Sequence, residues 1–279
     1  MKKLETKEPS QPRVLVVAGS DSGGGAGIQA DIKTITMLGA FATTAVTALT
    51  AQNTLGVEDV LPIDARFVAL QMKCVLTDIG ADAIKTGMLG SARVVEAVAG
   101  VCESVAFGVP LIVDPVMVAK GGARLLDRDA HDALVLRLLP LASLVTPNVP
   151  EAEILTGLKI RSESDLERAA DALLALGPSA VLMKGGHLEG DTVVDVLRTA
   201  DGAHHRFEGP RIVSRSTHGT GCTLASGIAA GVAEGLTLEG AVARARSFVV
   251  KGIELAPGLG RGHGPLQFGH LLPSVQRGA

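Results

Sequence analysis

The feature that most constrains this chain is a run of five apolar residues, 14–18 (Val-Leu-Val-Val-Ala), that breaks directly into Gly19-Ser20-Asp21-Ser22-Gly23-Gly24-Gly25-Ala26-Gly27. An apolar run without polar alternation reads as a strand covered on both faces, as in a parallel sheet between helices. After the glycines, Ile28, Ile32, Ile35 and Leu38 recur at helical spacing, and Gly39 is placed to end that helix. The same strand, turn and helix order then repeats. Further strands are expected at residues 43–49, 83–85, 111–113, 144–146, 181–183 and 193–197. Asp64, Ser91 and Ser162 read as N-caps for helices running through Phe67, Leu70 and Cys74, through Val94, Val95, Val98 and Val101, and through Leu166, Leu173 and Leu176. Asp201-Gly202 reads as a hairpin turn, so antiparallel strands are expected late in the sheet. The expectation is an α/β fold with a frayed tail over residues 1–12 and one domain over 13–279.

Composition narrows the function class. The 47% hydrophobic content supports one large core, built from Val, Leu, Ile and Ala because Trp and Tyr are absent. A formal net charge of -3, with acids and bases scattered singly, removes the basis for nucleic-acid or anionic-membrane binding, so a small-molecule partner is expected. Cys74, Cys102 and Cys222 lie far apart with no metal-type spacing, which fits a reducing cytoplasm. The five-residue apolar run is too short for a signal core or a membrane span.

Several nucleotide-site motifs fail. No Gly-Lys dipeptide occurs, so a Walker A loop is excluded. Residues 25–30 fit GxGxxA, yet no acid lies between Asp31 and Glu58 to hold a ribose. Residues 19–23 resemble a nucleophile elbow with aspartate where serine is needed. The segment Thr217-His218-Gly219-Thr220-Gly221-Cys222-Thr223 survives, entering an apolar, small-residue run. Successive N–H groups at Gly219, Thr220 and Gly221, reinforced by the helix dipole, suit an anion such as a transferring phosphoryl group. Cys222 has two readings: a buried packing residue, or a thiol of depressed pKa that accepts a proton from a substrate hydroxyl.

Residues 19–31 and 47–54, with Lys85-Thr86-Gly87-Met88-Leu89, Asp114-Pro115-Val116-Met117, Thr146-Pro147-Asn148-Val149-Pro150-Glu151-Ala152 and residues 217–223, closely resemble the hydroxymethylpyrimidine/phosphomethylpyrimidine kinase family. The matches fall in the same order over roughly residues 14–270. The resemblance implies a three-layer α/β/α ribokinase-like fold and ATP- and Mg²⁺-dependent phosphorylation of hydroxymethylpyrimidine and then of its monophosphate, for thiamine synthesis. It also suggests a homodimer. It places ring reading on Gln52, whose amide carries an acceptor beside two donors. Thr50 shares that side of the strand by period-two geometry. Ala26 and Gly27 would admit the substrate closely, Asp31 would hold its hydroxymethyl or amino group, and Met88 would form an apolar wall. Each has a structural alternative: a tight turn, a solvated helix acid, a core methionine. Asp114, Glu151 and Asn148 would serve the metal through water, Glu151 doubling as a first-turn helix acid. Lys184 would neutralise ATP phosphates, with Gly185 and Gly186 admitting the nucleotide.

Departures from the family pattern are modest. Gly23 stands where many relatives have serine, and Lys120-Gly121-Gly122 replaces a common Lys-Ser-Gly. Residues 117–123 are expected to form a mobile flap. A pyridoxal-type kinase of the same fold and a catalytically silent pyrimidine-binding module are the rival readings. Retention of Lys184, Asp114, Glu151 and Cys222 argues against the second.

Overall fold

The computed structural model describes residues 11–117 and 128–272. Nearly all of the expected tail and flap therefore lies outside the described residues. Strands β1 (Arg13–Asp21), β2 (Phe41–Gln52), β3 (Val57–Pro62), β4 (Ala83–Thr86), β5 (Leu111–Val113), β6 (Leu144–Val145), β7 (Ala180–Lys184), β8 (Thr192–Thr199) and β9 (His204–Pro210) form one sheet. Its spatial order is β3-β2-β1-β4-β5-β6-β7-β8-β9. The six strands from β2 to β7 in that order are parallel, while β3 at one edge and β8 near the other run against them, and β9, antiparallel to β8, returns to the common direction. Gly202 makes the β8–β9 turn with φ of 93°, as the Asp-Gly pair predicts.

Helices α1 (Gly27–Met37), α2 (Ala65–Asp78), α3 (Ala92–Ser104), α4 (Arg128–Ala133), α5 (Val149–Thr156), α6 (Glu163–Leu174), α7 (Thr220–Glu234) and α8 (Leu238–Glu254) cover the sheet. Alternate residues of β1 serve opposite layers. Leu15 and Val17 join a core with α2, α3, α5 and α6, whereas Val14, Val16 and Ala18 join one with α1, α7 and α8. This is the three-layer α/β/α arrangement of a ribokinase-like fold. Asp64, Ser91 and Ser162 each accept a backbone N–H at the start of their helix, as expected. Helices α7 and α8 pack closely because an added Cβ on Gly227 or Gly231 would lie 2.9 or 2.8 Å from Ala245 or Ala241. Among the described residues no helix is long and apolar enough to cross a membrane.

Two helix faces differ from expectation. In α1 the buried side is Ala30, Asp31, Thr34 and Ile35, and Ile32 is exposed. In α2 the buried residues are Val68 and Met72, while Phe67, Leu70 and Cys74 face out. Helix α2 is apolar on both sides, so periodicity alone cannot choose between them. In α1 the face is turned by a charge. The Asp31 carboxylate lies 2.9 and 3.0 Å from Nζ of Lys85 in β4 and accepts from Ser226 Oγ of α7 at 2.6 Å. Both charged side chains are wholly buried. Burial opposes the Lys85 charge, but Asp31, Cys222 and Asp114 hold its pKa above the ordinary value. Burial also pushes Asp31 upward. Three hydrogen bonds from two donor groups, Lys85 and Ser226, nevertheless suit the ionised form.

This ion pair ties the α1 and α7 layer to the central sheet. Lys85→Met, which strands the buried Asp31 carboxylate, is expected to cost about 3–5 kcal/mol in urea denaturation. Adding Asp31→Leu is expected to recover most of that loss, as measured by the double-mutant cycle.

Candidate active site

The first glycine turn is wound around one carboxylate. Asp21, 3% exposed at the end of β1, accepts from Gly23 N at 2.8 Å through Oδ1 and from Gly25 N and Ala26 N at 3.1 and 2.8 Å through Oδ2. Its own N–H donates to Gln29 Oε1 at 2.8 Å. Gly27 has φ of 55°, and an added Cβ there would overlap the Gly19 carbonyl oxygen. Glycine is therefore required where α1 begins.

The late turn docks onto the first. Gly219, with φ of 81°, packs so closely on Gly25 that an added Cβ would overlap its carbonyl oxygen. His218 Nε2 lies 2.9 Å from Asp21 Oδ2. Burial acts upward on the Asp21 carboxyl, but the His218 bond and the Ala26 and Gly23 amides together hold it below its ordinary value. Gln52, at the end of β2, is joined to the same turn through Ser22, whose Oγ donates to Gln52 O and accepts from Gln52 N, each at 2.8 Å. The Gln52 amide lies 3.1 Å from Thr50 Oγ1 and 3.3 Å from His218 Nε2.

Across the cavity, Lys184 ends β7 and its Nζ lies 3.0 Å from Asp114 Oδ1, just beyond β5. Thr146 donates to the same Asp114 oxygen at 3.1 Å. Asn148 and Glu151 form a reciprocal capping box at the start of α5, with bonds of 2.9 and 2.8 Å. Burial pushes the Glu151 carboxyl up to about 7; Lys184 opposes this, while Asp114 adds to it. Burial acts against the Lys184 charge, yet Asp114 and Glu151 raise its pKa above the ordinary value. Two acids thus share one base, leaving room electrostatically for a second cation.

These groups line one cavity of about 490 Å³ at the strand ends. It brings together Ala26, Gly27, Thr50, Gln52, Met88, Asp114, Asn148, Glu151, Lys184, Gly219, Thr220, Gly221 and Cys222. Three expectations need correction. Asp31 does not line the cavity; Lys85 stands there, with Asp31 buried behind it. Gly185 does not open room for a ligand, because its N–H donates to Asp195 Oδ1 at 2.9 Å and an added Cβ would overlap Val194 O of β8. The Cys222 thiol is not depressed. Burial pushes it up to about 11, with Asp31 and Asp114 adding to an effect that Lys85 only partly offsets. The sequence did not single out Asp21, Lys85 and His218, which also line the cavity. A lysine inside an apolar strand, Ala83-Ile84-Lys85, was the available signal, since such a charge needs a partner.

A lysine among carboxylates, facing glycine-lined amides at a helix start across a small cavity, defines a small-molecule kinase of ribokinase-like fold. A profile of the family described as phosphomethylpyrimidine kinase matches residues 21–267. This chain belongs to that family. A thiamine biosynthesis bifunctional protein of Geobacter sulfurreducens is 54% identical over 93% of this chain and 52% of its own length, so this chain spans about half of that relative. The hydroxymethylpyrimidine/phosphomethylpyrimidine kinase of Haemophilus influenzae is 47% identical over 91% of this chain and 95% of its own. The solved structure of Staphylococcus aureus pyridoxal kinase with AMP-PCP and pyridoxal superposes with a TM-score of 0.85 at 33% identity, covering 94% of each chain.

The raised Glu151 carboxyl has a signed consequence. The folded state binds this proton more tightly than the unfolded chain, so stability from Glu151 falls as pH rises from the ordinary 4.5 through about 7. Glu151→Gln keeps an oxygen for the capping box and removes the titration. In chelator-treated protein, urea denaturation is expected to show this variant gaining roughly 1–3 kcal/mol relative to the parent between about pH 5 and pH 8.

Proposed function

We propose that this chain transfers the γ-phosphoryl group of ATP to 4-amino-5-hydroxymethyl-2-methylpyrimidine and then to its monophosphate, in thiamine biosynthesis. The observation that carries this reading is that Gln52, Lys184 and Cys222, from three distant parts of the chain, line one cavity. The Gln52 amide suits an aminopyrimidine edge, with one donor and one acceptor side by side. Identity of 47% to the Haemophilus kinase, against 33% to the pyridoxal kinase, favours the pyrimidine over pyridoxal.

Lys184 and the N–H groups at the start of α7 hold phosphate charge, and Gly221 keeps this wall open: an added Cβ would lie 3.4 Å from Lys184 Nζ and 3.6 Å from Asp114 Oδ2. Asp114 and Glu151 fit Mg²⁺, because two carboxylates face the single Lys184 ammonium there; burial, with Asp114 adding to it, pushes Glu151 up to about 7. When bound, Mg²⁺ would neutralise phosphate charge there. Asn148 Oδ1 accepts from Glu151 N, so Asn148 orients the acid. The hydroxymethyl oxygen bonds to the γ-phosphorus as the bond to the ADP oxygen breaks. Cys222, a neutral thiol before ligands bind, orients that hydroxyl, and its proton leaves late to solvent or a phosphoryl oxygen. A loose transition state gains most from positioning and charge neutralisation.

Residues 13–279 are read as one domain acting in the cytoplasm, which the single sheet and the free cysteines Cys74, Cys102 and Cys222 support. A homodimer is proposed through the edge where Leu49 and Leu61 lie directly opposite on β2 and β3 and Phe67 and Leu70 project from α2. All four are exposed, and a second copy would cover them.

Mass spectrometry after incubation with hydroxymethylpyrimidine and Mg-ATP is expected to show mono- and diphosphate, with pyridoxal turned over more slowly; no phosphorylated pyrimidine would sink this reading. Lys184→Ala and Gly219→Val are expected to lower kcat/KM at least as much as Cys222→Ser, by roughly 10²-fold or more. In light scattering, the pair Leu61→Lys and Leu70→Lys is expected to convert a dimer to monomer.

A further inference from the structure

The Gln52 backbone is held by Ser22 and its amide sits between Thr50 and His218, where a half-turn about the last bond exchanges amide oxygen and nitrogen without moving the side chain. In the structure Gln52 Nε2 faces His218 Nε2 at 3.3 Å and Oε1 faces Thr50 Oγ1 at 3.1 Å. Two hydrogen-bond arguments oppose that orientation. Asp21 Oδ2 already accepts from Gly25 N and Ala26 N, and a carboxylate offers lone pairs alone, so the imidazole nitrogen 2.9 Å away must carry its hydrogen. An amide NH₂ turned toward it would set two donors face to face. On the other side, Thr50 has one hydroxyl hydrogen and two oxygens in reach, Ser20 O at 2.9 Å and Gln52 Oε1 at 3.1 Å, and the nearer backbone carbonyl is the better acceptor. Thr50 then has only lone pairs to offer Gln52, which again calls for NH₂.

Resting on the pyrimidine-kinase reading above, we propose that the Asp21–His218 pair is a specificity-determining lock. It holds Gln52 with its carbonyl oxygen toward His218 and its NH₂ toward Thr50. In this orientation the Gln52 oxygen shares the His218 N–H with Asp21 and one amide N–H reaches Thr50, which leaves one oxygen lone pair and one N–H for a ligand. The ring must then place its amine on the His218 side and its acceptor nitrogen on the Thr50 side. The lock is rigid. An added Cβ on Gly25 would lie 2.6 Å from His218 Cδ2 and 3.2 Å from Pro265 Cβ, and His218 N donates to Gly264 O at 3.1 Å. His218 is 15% exposed and Asp21 3%, so water competes poorly for the bond. The absence of a side chain at Gly25 is thus what leaves room for the imidazole.

A 4-oxo pyrimidine in its lactam form presents the reverse pattern, a ring N–H beside a carbonyl oxygen. A locked Gln52 rejects it, whereas an amide free to turn accepts either. The test compares kcat/KM for 5-hydroxymethyl-2-methylpyrimidines carrying a 4-amino or a 4-oxo group, in the parent, His218→Phe and His218→Gln, with thermal melts confirming folding. The parent is expected to favour the 4-amino compound by roughly 10²-fold or more. His218→Phe, which keeps a ring but no N–H, is expected to shrink that ratio at least about tenfold, with the 4-oxo compound unharmed or improved. His218→Gln, which restores an N–H at that reach, is expected to keep most of the ratio. Equal losses on both compounds in His218→Phe would overturn the lock and leave His218 a packing residue. Parent turnover of both compounds alike would overturn it without any variant, so the test survives misfolding of His218→Phe. Turnover of neither compound by the parent would overturn both the kinase reading and this inference.

Discussion

The Asp21 carboxylate is the group on which the site depends. It terminates β1, accepts three N–H bonds from the turn that follows, and accepts a fourth from His218, 197 positions later in the chain. A buried carboxylate costs several kcal/mol unless its lone pairs are met, and here they are met by the two loops that must converge to make a cavity. Solvation of one charge and assembly of one site are therefore the same event. The glycines around it follow from this crowding: Gly27 lets the chain turn beneath Gly19, and Gly219 lets the second loop approach Gly25.

Two further buried charges divide the remaining work. Lys85 is spent on Asp31, which Ser226 also holds, and so joins three elements; its charge reaches the cavity already compensated. Lys184 is shared between Asp114 and Glu151, so this corner is short of positive charge. That difference is why the proposed function puts the cation and phosphates at the Lys184 corner and treats the Lys85 corner as a fixed wall. Cys222 lies between them, with Asp31 and Asp114 both acting against its ionisation. Its position in the first turn of α7 suggests a thiolate by dipole reasoning alone. Burial and two acids outweigh the dipole.

How far the sequence was legible varied with what encodes each feature. The strands β1, β5 and β7 were readable because apolar runs without alternation leave few other folds. The caps at Asp64, Ser91 and Ser162 were readable because they satisfy backbone groups within a few residues. Strand β3 was not: it is an edge with nearly all its side chains exposed, specified by pairing to β2 rather than by burial. The α2 face was misjudged because apolar residues mark both its sides, and the α1 face because a buried acid, Asp31, turns it toward Lys85. Gly185 looked like room for a ligand from its place after Lys184, whereas it serves contact with β8.

By itself the sequence determined the succession of buried strand, glycine turn and helix, and the family motifs located the residues that gather at the strand ends. Those are local matters of periodicity, φ freedom and capping. Only the tertiary structure decided which charge meets which: Asp31 with Lys85, Asp114 with Lys184, Asp21 with His218. Such partners are set by the spatial order of strands, which brings β1, β4, β5, β6 and β7 side by side across long stretches of chain. Protonation depends on those partners and on burial, so the state of Cys222 and Glu151 could be read only once the chain was folded.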